Sequence, residues 1–263
     1  LTINKVENIV NKIKIKYFFI FVFLIFCNSS FAIRNPKDSI IAVSLVGLSY
    51  GYQFPQKDLK NRFYNNSTVG LNFYRKTKKN FVFGVDWYFI FAQKVKEQDM
   101  FSSVLNSDGF FIDENGQNAS VRLYQRGHCF NAKIGKIFPI GRPNKNSGLL
   151  FLLNGGWLQH KIKIEDLGNL TPALNKEYKK GYDRLAGGLN VGFFAGYIFM
   201  SDNRYFNFFG GVEGYYANTK SLRSWDFQKM KYNDSKRKDV LLGLKVGIIL
   251  PLYKRATNAY YIY

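Results

Sequence analysis

Seven side chains are of types that could do chemistry. Asp86, Lys133, Glu213 and Lys245 each fall on the small or polar face of an alternating stretch: FVFGVDWYFIF, HCFNAKIGKIF, FFGGVEGYYA and DVLLGLKVGIILPLY. Two charges of each sign at comparable depth in neighbouring strands predict two ion pairs, Asp86 with Lys133 and Glu213 with Lys245. An ion left alone away from water is costly, so pairing is the expected solution. Asn72, Asn131, Asn154 and Asn190 share those faces and are expected to assist. A lipid hydrolase, an acyltransferase or a metal site would have to use His128, Cys129 and His160. Their contexts, RGHCFN and WLQHKIKIED, hold no nucleophile motif, and neither GxSxG nor HExxH occurs. The expected reading is a non-enzymatic protein without cofactor or metal, its histidines hydrogen-bonded near strand ends.

The elements that must position these residues are strands. Side chains alternate between the faces of a strand, and eight stretches alternate here: 40–53, 67–75, 81–91, 120–139, 148–164, 185–199, 205–217 and 239–253. In the last, Val240, Leu242, Leu244, Val246, Ile248, Leu250 and Leu252 form one aliphatic face. The opposite face carries Gly243, Lys245 and Gly247. The connections alternate long, short, long, short, long, short, long. Short turns at one end and long loops at the other predict an eight-stranded antiparallel transmembrane β-barrel of the outer-membrane type, with periplasmic turns and extracellular loops. An eight-stranded lumen is just wide enough for its own side chains, so it is expected to be plugged. The alternative for the four charges is a narrow pore with a selective constriction.

Composition agrees with that class. Aromatics make up 18% of the 263 residues, with 23 Gly beside 6 Pro, and the mean hydropathy of -0.20 excludes a helical membrane protein. Residues 1–32 read as a cleaved secretory signal. Lys5, Lys12, Lys14 and Lys16 precede an apolar core, and Ser30-Phe31-Ala32 offers small residues at the cut. Residues 33–263 then form one barrel domain with a short periplasmic tail. Phe26 before Cys27 argues against a lipidated cysteine, and cleavage leaves Cys129 without a disulfide partner. A net charge of +20, about +17 once the four lysines and one glutamate of residues 1–32 are removed, predicts anionic partners for an exported chain: outer-membrane lipids and lipopolysaccharide, or other envelope proteins in a complex. Nucleic acid is not expected, because no nucleic-acid motif occurs.

Basic residues gather at the predicted turns. Arg75, Lys76, Lys78, Lys79, Arg142 and Lys145, with Lys254 and Arg255 of the tail, are expected to form a solvated periplasmic rim. Lys245, Gly247, Leu250 and Leu252 have the spacing of the targeting signal in the last strand of outer-membrane barrels, which they resemble. The blocks LSYGYQFP, KTKKNFVFGVDW, GKIFPIGRPNKNSG, LQHKIKIED, KKGYDRL and LPLYKRA together resemble a family of small outer-membrane β-barrel proteins of Bacteroidota. The resemblance spans most of the mature chain. It implies location and fold, and work alongside outer-membrane assembly or type IX secretion machinery; it carries over no catalytic residues. The function expected is that of a structural or adaptor subunit of an envelope complex. Strand 120–139 and loops 92–119, 165–184 and 218–238 are expected to form its outer contact surface.

Overall fold

The computed structural model describes residues 40–252 except 98, 103, 141–143, 167, 169–170, 203–205, 229 and 234. The expected leader (1–32), Arg142 and the tail with Lys254 and Arg255 lie outside the described residues.

Eight long strands form the wall: β1 (Val43–Lys57), β2 (Asn66–Lys76), β3 (Phe81–Ala92), β4 (Val121–Phe138), β5 (Gly148–Asp166), β6 (Ala186–Met200), β7 (Asn207–Ser221) and β8 (Lys236–Leu252). Each pairs antiparallel with its chain neighbour, and β1 meets β8 to close the barrel. Closure satisfies every edge, the condition for strands to cross lipid. No described helix is long and apolar enough to cross a membrane.

Register decides which face meets lipid, because a slip of one residue would turn every side chain over. The outer face carries Leu48, Leu71, Val85, Ile134, Leu153, Leu189, Val212 and Leu244, one from each strand. All are largely exposed, Leu189 at 71% and Leu153 at 67%. An apolar band encircling a molecule is far larger than the patches that soluble proteins expose, and its natural solvent is the bilayer core. The short connections, including 77–80, lie at one end and the long loops at the other. The protein is an eight-stranded antiparallel barrel of the outer-membrane type, with long outer loops and short periplasmic turns.

Inside, the side chains form three layers. Toward the periplasmic end lie Leu45, Val82, Ile137, Leu152, Phe194 and Phe209. Asp86, Lys133, Glu213 and Lys245 occupy the middle. Above them an apolar cluster includes Tyr88, Ile90, Cys129, Leu158, Ile162, Tyr215 and Leu241.

That upper cluster continues into the loops. Helix α1 (Asp58–Arg62) buries Leu59, and Phe63 behind it bridges to Val95. Met100, Phe101 and Phe111 from the second loop, and Leu174 and Tyr182 from the third, join the same core. Helix α2 (Lys176–Tyr182) starts where the Asn175 side chain accepts from the backbone N–H groups of Glu177 and Tyr178, both at 3.0 Å. Phe227 of the fourth loop packs on Tyr178 and Tyr182. The loops thus fold down over the barrel mouth, and much of the surface expected to be free for contact is turned inward. The physical reason is their apolar content: residues such as Phe63, Met100 and Phe101 find cover in the lumen that water would not give.

A charge at the middle of the belt should be the costliest surface change. Leu244→Arg is expected to lower the unfolding free energy in lipid vesicles by roughly 2–4 kcal/mol, and the same change at Tyr52, near the outer end of the belt, by no more than about 1 kcal/mol. Denaturant titration of both variants checks the difference.

Candidate functional site

The mid-barrel charges meet. Lys133 Nζ stands 2.6 Å from Asp86 Oδ2, and Lys245 Nζ is 3.3 Å from Glu213 Oε2. Neither pair is directly opposite in register, since Asp86 faces Asn131 and Lys133 faces Gly84, while Lys245 faces Gly211 and Glu213 faces Gly243. The pairs are diagonal contacts between neighbouring strands, within reach of long side chains. A glycine stands opposite each lysine in the ladder. A Cβ on Gly84 would come within 2.0 Å of the Phe73 carbonyl oxygen.

The two pairs are not separate. Lys245 Nζ also lies 3.3 Å from Asp86 Oδ2, reaching across the lumen from β8 to β3. The result is one chain of alternating charge, Lys133–Asp86–Lys245–Glu213, with every member at least 96% buried. Neutral groups complete it. Asn131 Nδ2 donates to Asp86 Oδ1 (3.1 Å), Gln53 Nε2 to Glu213 Oε1 (2.8 Å) and the Tyr215 hydroxyl to Glu213 Oε2 (2.9 Å). The Lys245 ammonium also sits 4.9 Å from the centre of the Tyr88 ring. Gln53, Tyr88 and Tyr215 were legible only as inward-facing positions, and nothing in sequence spacing named their partners.

Of the four asparagines expected to help, only Asn131 hydrogen-bonds to one of the charges. Asn72 bonds instead to Ser49 Oγ (3.0 Å) and accepts from the Tyr74 hydroxyl (3.1 Å). Asn190 donates to Cys129 Sγ at 3.5 Å. Asn154 makes no hydrogen bond within the network.

The histidines do not form a common site. His128 and His160 lie on neighbouring strands at adjacent heights, His128 opposite Gln159 and His160 opposite Gly127. Alternation sends them to opposite faces. His128 points outward, stacked on Trp87 at 5.9 Å, while His160 points inward with Nε2 2.9 Å from Asp239 Oδ2. Cys129 is buried in the lumen beside Asn131. The Thr219 hydroxyl also bonds Asp239 Oδ2, at 2.5 Å. His160, Asp239 and Thr219 tie β5, β8 and β7 together just below the loops.

The loops carry their own ionic hub. Glu97 accepts from Arg62 Nε at 2.7 Å and lies 3.2 Å from Arg184 Nε, while Arg184 also pairs with Asp226. Burial first and Arg237 second bring the Arg62 pKa down to about 10, against the opposing pull of Glu97. Arg223 clasps Asp183 with contacts of 3.0 and 2.5 Å, and that hydrogen bonding raises its pKa.

One member of the expected periplasmic rim is misplaced. Lys78, Lys79 and Lys145 are exposed, and Arg75 is half-buried against Ser44. Lys76 is fully buried. Its Nζ donates to the Ile41 carbonyl at 3.0 Å and to Asn146 Oδ1 at 2.8 Å, inside the periplasmic mouth. The parity that turns Asn72 and Tyr74 inward carries on to Lys76, and this alternation outweighs the tendency of a turn lysine to seek water. In β8, Lys245 and Gly247 lie on the inner face and Leu250 and Leu252 on the outer.

The sequence matches no protein-family model and no curated protein. Among solved structures, the chain is similar to Neisserial surface protein A (NspA), at 12% identity over 78% of this chain and 96% of that one, with a TM-score of 0.40. It is also similar to Ail, the attachment invasion locus protein of Yersinia pestis, at 13% identity over 80% of this chain and 99% of that one, with a TM-score of 0.38. Ail in complex with the heparin analogue sucrose octasulfate gives 12% identity over the same shares, with a TM-score of 0.36. At such identities and scores, the reading of this chain rests on its own register, belt and interior.

Removing the shared carboxylate should cost more than removing either end of the chain. Asp86→Asn leaves two buried ammonium groups facing each other and is expected to destabilise the barrel by roughly 3–5 kcal/mol. Lys133→Met added to Asp86→Asn should recover part of that loss. Urea unfolding in detergent micelles measures both.

Proposed function

We propose that this protein is a non-enzymatic integral outer-membrane barrel with a lumen plugged by its own side chains. We further propose that it acts as a structural or adaptor subunit of an envelope complex engaged in outer-membrane protein assembly or secretion. Export through the Sec pathway by the leader at 1–32 is part of the proposal. The observation that carries it is the ionic chain Lys133–Asp86–Lys245–Glu213, whose charges are spent on one another between two apolar layers. A conducting constriction would need charges turned to a water column. A hydrolytic site would need a base beside a reachable nucleophile, whereas His160 is buried and engaged with Asp239. What remains for partners is the surface. On the outer side, Met230 in the turn of the 225–232 hairpin and Tyr232 at its base are 71% and 73% exposed. On the periplasmic side, Lys78, Lys79 and Lys145 offer a basic rim. The resemblance to small barrels of Bacteroidota supports the choice of machinery.

Two measurements test this reading. The purified protein in planar bilayers is expected to give no single-channel current, and Lys133→Ala and Lys245→Ala are not expected to create steps of uniform size. Affinity purification from native membranes in mild detergent is expected to recover a stoichiometric envelope partner, with binding weakened by Met230→Asp/Tyr232→Asp or by Lys78→Glu/Lys79→Glu. Regular conductance in the unaltered protein would overturn the plug, and recovery only as a lone barrel would overturn the adaptor role.

A further inference from the structure

Two concave lobes, of about 560 and 650 Å³, meet at the outer rim along Tyr64, Gln93 and Lys94. The first is lined by Tyr52, Phe54, Lys60 and Lys96, the second by Phe110, Arg122 and Tyr124. Among the described residues, no carboxylate lines either lobe. Acids around it are engaged: Glu97 by Arg62 and Arg184, Asp58 by the backbone N–H of Lys238 at 2.8 Å, and Glu165, opposite Arg122 in register, by Lys163 at 2.9 Å.

Position gives this groove its meaning. Tyr52 and Phe54 continue the outward row of Leu48 and Tyr50 on β1, their rings edge to face at 5.3 Å, at the level where a barrel's aromatic girdle meets head groups. The groove therefore opens at the outer end of the lipid belt. Lys96 is held in place there: its Nζ donates to the Lys60 carbonyl at 2.9 Å and lies 5.0 Å from the Tyr64 ring centre. Ammonium groups beside exposed aromatic faces suit a ligand with an anionic group on a sugar ring and an apolar tail below.

We propose that this groove seats the phosphorylated sugar head group of an outer-leaflet glycolipid of the lipopolysaccharide type. Lys60, Lys94 and Lys96 meet phosphate, and Tyr52, Phe54 and Tyr64 line the sugar and the start of the acyl chains. The inference rests on the outer-membrane reading and is independent of the adaptor role. The test measures binding of the full chain, in neutral detergent, to diphosphorylated lipid A, dephosphorylated lipid A, phosphatidylglycerol and inorganic phosphate. Diphosphorylated lipid A is expected to bind tightest. Lys60→Gln/Lys94→Gln/Lys96→Gln should weaken it about a hundredfold, at roughly fivefold per lysine near an anionic surface. Lys78→Gln/Lys79→Gln, on the opposite rim, should leave it unchanged. Equal binding of dephosphorylated lipid A, of phosphatidylglycerol or of inorganic phosphate alone would overturn the proposal, as would a triple variant that binds normally. Should the triple variant not fold, judged by its heat-dependent gel mobility, the ranking of ligands on the unaltered protein decides by itself. Loss of the lipid preference in a barrel that still passes no current removes the site and leaves the plugged barrel standing.

Discussion

Asp86 serves two lysines, and the interior of the barrel is arranged around that fact. One carboxylate oxygen lies 2.6 Å from Lys133 and 3.3 Å from Lys245, joining β3 to β4 beside it and to β8 across the lumen. Desolvating four ions costs several kcal/mol each, and mutual attraction offsets this only when every charge has close partners and the remaining hydrogen-bonding sites are filled. Gln53, Asn131 and Tyr215 fill them. Apolar side chains lie above and below the four charges, a setting of low dielectric in which such pairs attract strongly.

This constraint explains features that otherwise look unrelated. The outer loops carry buried aromatics because the upper lumen presents an apolar floor for them to cover. Protein groups stand at both mouths: Phe63, Phe101 and Tyr182 pack at the outer one, and Lys76 is held between Ile41 and Asn146 at the periplasmic one.

Much of the wall was legible in the sequence because lipid permits so few solutions. Alternation placed all eight strands to within a few residues, and parity identified Asp86, Lys133, Glu213 and Lys245 as inward. Parity and depth also brought Asp86 to Lys133 and Glu213 to Lys245. They could not reveal the Lys245–Asp86 contact, because it crosses the lumen and depends on side-chain length and barrel curvature, which leave no periodic trace. Lys76 was readable by the same parity, yet its place beside a basic turn suggested solvent. The loops were least legible. Leu59, Met100, Phe111 and Leu174 are scattered apolar residues with no period, and only the shared floor of the barrel makes them one core.

Cys129 offers the most direct test of a closed interior. Its thiol lies in the lumen where the ionic layer meets the outer apolar cluster, with no exposed surface. In a Cys27→Ser background it is the sole cysteine, and its labelling by a small, water-soluble, cationic thiol reagent can be followed on the folded barrel in lipid vesicles. A filled lumen is expected to leave Cys129 unlabelled until denaturant unfolds the barrel, with labelling and loss of heat-modifiable mobility following the same transition. Rapid labelling of the folded protein from the aqueous phase would show that water and solutes reach the middle of the barrel, and would contradict the plugged lumen.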